Sequence, residues 1–156
     1  MKILLLSYYF EPDLSAGSFR SSALYKRLKN LGHEVEVITT LPNRYNGFEG
    51  KINNELNSDS TRIFRIDTKN DNSKFLAQIR AYIKFFFGAL KITKKTDYDI
   101  VYASSSKLFT AFLGAVISKR NKSLLYLDIR DIFLESLRDI FNPFISFFLL
   151  PILSII

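Results

Sequence analysis

The 156 residues suffice for one domain of ordinary size and are too few for two, and 47% apolar against 24% charged residues excludes a disordered chain. Cysteine is absent, which excludes disulfides, thiolate nucleophiles and cysteine-held metals, and one histidine without a spaced set of acidic partners leaves no ligand set for a transition metal. A formal charge of +7 and a pI near 9.6 admit nucleic acid, anionic lipid or a phosphorylated substrate as partners.

In chain order, Ile3-Leu4-Leu5-Leu6 is apolar without alternation, the pattern of a parallel strand covered on both faces. The run is too short for the apolar core of a secretory signal, so a cytoplasmic protein is expected. Pro12 and Gly17 interrupt residues 9–17. A helix is predicted from Ser18, with Leu24, Leu28 and Leu31 facing inward and Gly32 ending it in the left-handed conformation. Residues 33–39 alternate and predict a second strand, completing a βαβ unit.

Residues 41–60 carry Pro42, Asn43, Asn46, Gly47, Gly50, Asn53 and Asn54, and predict turns rather than an element. Arg62 to Ile66 reads as a short third strand near a sheet edge. The clearest helix covers residues 75–94. Leu76, Ile79, Ile83, Phe86 or Phe87, and Leu90 recur at three and four as its inward stripe, with Arg80, Lys84, Lys91 and Lys95 on the opposite side. A strand over 99–102, a polar corner at Ser104-Ser105-Ser106, a helix over 108–118 and a strand over 123–128 follow. The sum is an α/β, Rossmann-like parallel sheet of about five or more strands with helices on both faces. Residues 140–156 hold no charge and are interrupted by Pro143 and Pro151. The expected division is a domain over 1–139 and an apolar helical tail over 140–156 that starts a continuation.

In such sheets ligands sit at the carboxyl ends of the strands, where three segments meet: Tyr8 to Arg20, Ala103 to Ser106, and Asp128 to Glu135. Gly17 before a helix start fits both a plain strand-to-helix turn and a phosphate held by free amides. It lacks the partner glycines of a dinucleotide fingerprint. Arg20 in a first helical turn opposes the dipole unless a diphosphate, or a carboxylate such as Glu11 or Asp13, offsets it. Asp128, Arg130 and Asp131 read either as an ion-pair network or as a general base beside an anion-holding cation. His33, at the far end of the sheet, reads as structural.

Several of these segments together resemble a known family. Tyr8-Tyr9-Phe10-Glu11-Pro12, Ala16-Gly17-Ser18-Phe19-Arg20 and Leu31-Gly32-His33-Glu34-Val35 are similar to the start of retaining glycosyltransferases with two Rossmann-like domains (the GT-B fold, family 4). Asp99-Ile100-Val101 with Ala103-Ser104-Ser105 resembles the fourth strand and corner of those that build bacterial O-antigen, capsule and exopolysaccharide. Ile129-Arg130-Asp131-Ile132-Phe133-Leu134-Glu135-Ser136 resembles their Arg-Asp-Leu-Trp-Pro-Glu-Ser motif, with Phe133-Leu134 in place of Trp-Pro.

The resemblance implies the acceptor-side half of a GT-B fold, which moves a sugar from a nucleotide-sugar donor to a lipid-linked glycan precursor. It implies donor-diphosphate contacts at Gly17, Ser18 and Arg20, and substrate contacts at Glu11, Ser104, Ser105, Asp128 and Glu135. Asp131 and Arg130 are implied at the reacting centre, Arg130 standing where many relatives have histidine. No glutamate pair has the Glu-x7-Glu spacing of the donor domain, so the chain alone is expected to be inactive. No cofactor, metal or nucleic acid is expected. The fifteen phenylalanines and the basic helix predict attachment to the inner face of the plasma membrane. The alternative is a non-catalytic accessory or binding protein of the same fold at the membrane.

Overall fold

The computed structural model describes residues 1–42, 62–68, 75–105 and 108–129. Five strands, β1 (Lys2–Leu6), β2 (Glu34–Thr40), β3 (Arg62–Ile66), β4 (Ile100–Ser104) and β5 (Leu124–Asp128), form one sheet. Its order is β3-β2-β1-β4-β5, and every pairing is parallel. The predicted α/β fold is therefore present, with β3 at an edge as expected.

Three α-helices connect the strands: α1 (Ala16–Asn30), α2 (Phe75–Ile92) and α3 (Leu108–Asn121), with a 3₁₀ turn at Thr93–Lys95. β1 alternates between two cores. Ile3 and Leu5 join Val35, Val37, Phe10 and Tyr25 beneath α1. Leu4 and Leu6 join Ile38, Val101, Phe85, Ala89 and Leu113 beneath α2 and α3. A strand buried on both faces needs apolar residues at every position, which explains the unalternating run.

Gly32 ends α1 with φ of 81°, as the sequence predicts. Gly114 permits a close approach: a Cβ there would stand 2.5 Å from that of Ala103, so only glycine lets α3 lie this near β4.

Two helix faces differ from expectation. Leu31 caps α1 and is exposed, while the side on the sheet is Ser18, Ser21, Ser22 and Tyr25, with Leu24 and Leu28 only partly covered. In α2 the inward residues are Ala81, Phe85 and Ala89, flanked by Tyr82, Phe86 and Leu90. Leu76, Ile79, Ile83 and Phe87, expected inside, face outward beside Arg80, Lys84 and Lys91. The helix has two apolar stripes, and the one with small residues packs because alanine lets the helix axis approach the strands.

The amino-terminal end of the sheet carries a charge cluster. Glu36, 2% exposed, accepts from Tyr98 and Arg62 and pairs with Lys2, which also meets Glu34. Residues 43–61, most of the predicted turn region, and residues 130–156, including the tail and the domain boundary, lie outside the described residues.

Candidate ligand site at the carboxyl end of the sheet

The strand order reverses between β1 and β4, because β1 leads to α1 on one face and β4 to α3 on the other. In open parallel sheets this switch point is where ligands enter a crevice outside the strand ends. Here the β1–α1 loop and the end of β4 lie at that point.

The loop is tied at many points. Ser7 Oγ donates to the Tyr9 carbonyl at 2.7 Å and lies 2.9 Å from Ser21 Oγ. The Tyr8 carbonyl accepts from Thr40 Oγ1 at 2.8 Å and Thr39 Oγ1 at 3.3 Å. The Glu11 amide donates to Ser22 Oγ, and the Glu11–Pro12 peptide bond is cis. Ser15 caps α1 by accepting from the Ser18 amide at 3.2 Å. The amides of Ala16 and Gly17 precede the first helical bond, from the Phe19 amide to the Ser15 carbonyl, at the positive end of the α1 dipole.

Ser18 and Ser104 are both fully buried, and their hydroxyls have no hydrogen-bond partner among the described residues. Ser104 follows Ile100 and Tyr102 at two-residue spacing, so it lies on the α1 side of the sheet with Ser7, one residue beyond the last β1–β4 pair. Thr110 Oγ1, in α3, is likewise buried without a partner. A buried hydroxyl left unsatisfied costs stability, so Ser18 and Ser104, on the same side of the sheet at its carboxyl end, suit a polar ligand or ordered water. The Ser105 amide donates to the Asp128 carbonyl at 3.0 Å, bringing the end of β5 to the same rim.

Of the predicted site residues, Glu11, Gly17, Ser18, Ser104, Ser105 and Asp128 all lie at this end of the sheet. Arg130, Asp131 and Glu135 lie outside the described residues. Arg20 does not stand in the first turn: α1 begins at Ala16, two residues before the expected start, which puts Arg20 in the second turn, exposed. Its proposed carboxylate partners are engaged elsewhere. The Glu11 carboxylate pairs with Lys26 at 3.4 Å.

A second cation, Arg65 on β3, lies within electrostatic reach of Asp13 and Glu11. Its Nη2 donates to the Glu11 carbonyl at 2.7 Å. Burial lowers its pKa, while Asp13 and Glu11 act the other way. Sequence reasoning passed over Arg65; the available signal was an arginine at the penultimate position of a strand, next to the crevice end. Tyr8, also at this end, has its phenol pushed up by burial. Among the described residues no cluster of His, Cys, Asp and Glu could hold a metal.

No family model matches the sequence, and no curated protein matches it. Solved structures do match in fold. The carboxy-terminal domain of a Pyrococcus furiosus hydrogenase superimposes with a TM-score of 0.57 at 15% identity, covering 82% of this chain and 90% of that one. A second structure of that domain gives 0.56 at 16% identity, over 81% and 89%. MurG of Acinetobacter baumannii, a glycosyltransferase of GT-B fold, gives 0.50 at 17% identity over 81% of this chain. The chain spans 34% of the MurG chain. These likenesses show the fold alone: a Rossmann-like α/β domain.

Proposed function

We propose that this chain forms one wall of a glycosyl-transfer cleft, as the amino-terminal, acceptor-side domain of a retaining bacterial glycosyltransferase. The observation that carries the reading is the pair of buried hydroxyls, Ser18 and Ser104, without a partner among the described residues, at the strand ends where the strand order reverses. The likeness in fold to MurG and the family-like segments of the sequence support it.

In this reading the amides of Ala16 and Gly17, with Ser18, face the donor diphosphate, where the positive end of α1 offsets its charge. Glu11, Ser104, Ser105, Asp128 and Glu135 meet the sugar acceptor, a glycan precursor carried on a lipid. Asp131 and Arg130 stand at the reacting centre. A second Rossmann-like domain supplies the donor pocket, so this chain alone transfers no sugar. Arg20, exposed and in the second turn, has a weaker claim on the diphosphate than Gly17 or Ser18.

Amide-resolved NMR tests the site. Titration with uridine or thymidine diphosphate-sugars should shift Ser15, Gly17 and Ser18, and Ser18→Ala should weaken the shifts without lowering the melting temperature. Shifts elsewhere, or none, overturn the reading. Assays with nucleotide sugars and lipid-linked acceptors test the activity. No turnover is expected, and turnover lost in Asp131→Ala would replace the two-domain reading with an enzyme complete in this chain.

A further inference from the structure

We infer that the outer face of α2 and α3 is a docking surface for a bilayer containing anionic phospholipid. The inference is independent of the glycosyl-transfer reading, because it rests on the exposed residues of the two helices and on none of the residues assigned to the transfer site.

A helix that covers one face of a sheet needs one apolar stripe. α2 has that stripe in Ala81, Phe85 and Ala89, and carries a second outside it. Leu76, Ile79, Ile83 and Phe87 follow at spacings of three and four, and they are 71%, 36%, 52% and 65% exposed. α3 continues the surface. Phe109 stacks on Tyr82 at 5.5 Å and Phe112 on Phe86 at 5.9 Å, yet both phenylalanines remain more than half exposed. The stacked pairs join the two helices into one apolar ridge, unlike the scattered single exposures of ordinary surfaces.

Charge decides between possible occupants. Every charged residue in α2, the 3₁₀ turn and α3 is a cation, and Arg80, Lys84 and Lys91 lie in the strip alongside the apolar stripe. Arg120 is engaged, donating to the Leu90 carbonyl and Thr93 Oγ1. A protein-facing interface is depleted in lysine, and a nucleic-acid face is polar and reads with hydrogen bonds. Exposed leucine, isoleucine and phenylalanine beside an acid-free row of cations suit the boundary between headgroups and acyl chains. Among the described residues no helix is long and apolar enough to cross a membrane, so the ridge would lie in the plane of the interface.

The test is flotation of the full chain with phosphatidylcholine vesicles, with and without phosphatidylglycerol. Binding is expected only with the anionic lipid, and it should fall as salt rises. Replacing Arg80, Lys84 and Lys91 together by glutamine should weaken partitioning about a hundredfold, at roughly fivefold for each charge near the surface. Ile83→Ser with Phe87→Ser, both at exposed positions, should abolish it with an unchanged melting curve. No flotation with anionic vesicles overturns the proposal. So does flotation unchanged in both variants, which would assign docking to another part of the chain such as residues 140–156. Preferential binding of duplex DNA, lost in the glutamine variant, would overturn it in favour of nucleic acid.

Discussion

Tyr98 donates its phenol hydrogen to Glu36 Oε2 at 2.6 Å, joining residues 62 apart in the chain. Arg62 and Lys2 approach the other oxygen at 3.0 and 3.2 Å, so one carboxylate ties β1, β2, β3 and the entry to β4. Glu36→Ala strands the Tyr98 hydroxyl and removes the charge that Lys2 faces. It should cost about 2–3 kcal/mol, toward the low end for buried pairs because Arg62 is solvent-exposed. Urea unfolding measures the cost; a loss within error would show that the cluster adds nothing net.

The same carboxylate sets an acid dependence. Burial alone would raise the Glu36 pKa, but the bonds from Tyr98, Arg62 and Lys2 prevail and hold it below the ordinary carboxylate value. A depressed folded-state pKa gives stability that is present above the unfolded value, about 4.3, and is lost as pH falls through the folded one. The stability gap between the wild type and Glu36→Gln should therefore be full at neutral pH and shrink below about pH 4. A gap that stays constant into acid would assign it to shape rather than charge.

Two glycines of the helix layer should respond differently to alanine. At Gly114 the new Cβ would meet Ala103 Cβ, fixed to the β4 backbone, at 2.5 Å. At Gly88 it would meet the end of the Ile66 side chain at 2.9 Å, which can rotate away. Gly114→Ala should destabilise by about 1–3 kcal/mol. Gly88→Ala should stay within about 1 kcal/mol of wild type, because better helix propensity offsets the adjustment. Thermal melts of the two variants give the comparison.

Lys122, after α3, holds φ of 54°, in the left-handed region where a side chain is strained. Lys122→Gly should raise stability by roughly 0.5–1 kcal/mol, since the position is exposed and the relief outweighs the extra freedom of the unfolded glycine. A lower melting temperature would show that the lysine makes compensating contacts.

Arg65 positions the β1–α1 loop through the Glu11 carbonyl. Arg65→Met keeps the length of the side chain and removes the donor. Amide exchange at Glu11, Asp13 and Leu14 should quicken by about tenfold, the effect of losing one hydrogen bond of about 1.4 kcal/mol. Exchange at Glu36 and Val37 should barely change, which separates loop release from global loosening.

The strands were legible where a single physical demand shaped the residues. β1 reads as central because burial on both faces forbids polar side chains, and Gly32 reads as a stop because few other residues adopt its φ. β2 was half legible. Its alternation suggests a covered and an open face, yet Val35 through Thr40 are all buried, because Glu36 is satisfied by its three donors rather than by water. The faces of α2 were not legible, since periodicity finds apolar stripes without saying which one meets the sheet. The serine side of α1 was hidden for a similar reason: Ser18 and Ser21 carry no hydrophobic signal. At the site, Gly17, Ser104 and Asp128 were found by position at strand ends, whereas Arg65 acts across 54 residues and leaves no local trace.

β1 is the centre of the sheet and is synthesised before the strands that pair with either of its edges. β2 follows within 40 residues, but β4 ends only at Ser104. On the ribosome, the second edge of β1 therefore stays unpaired while some sixty further residues are added, roughly 3–12 seconds at about 5–20 residues per second. During that interval the nascent chain presents an apolar strand with bare amides and carbonyls, a template for pairing with a neighbour on the same polysome. Slower translation would lengthen the exposure and raise aggregation in the cell, with no change in the melting temperature of the molecules that do fold.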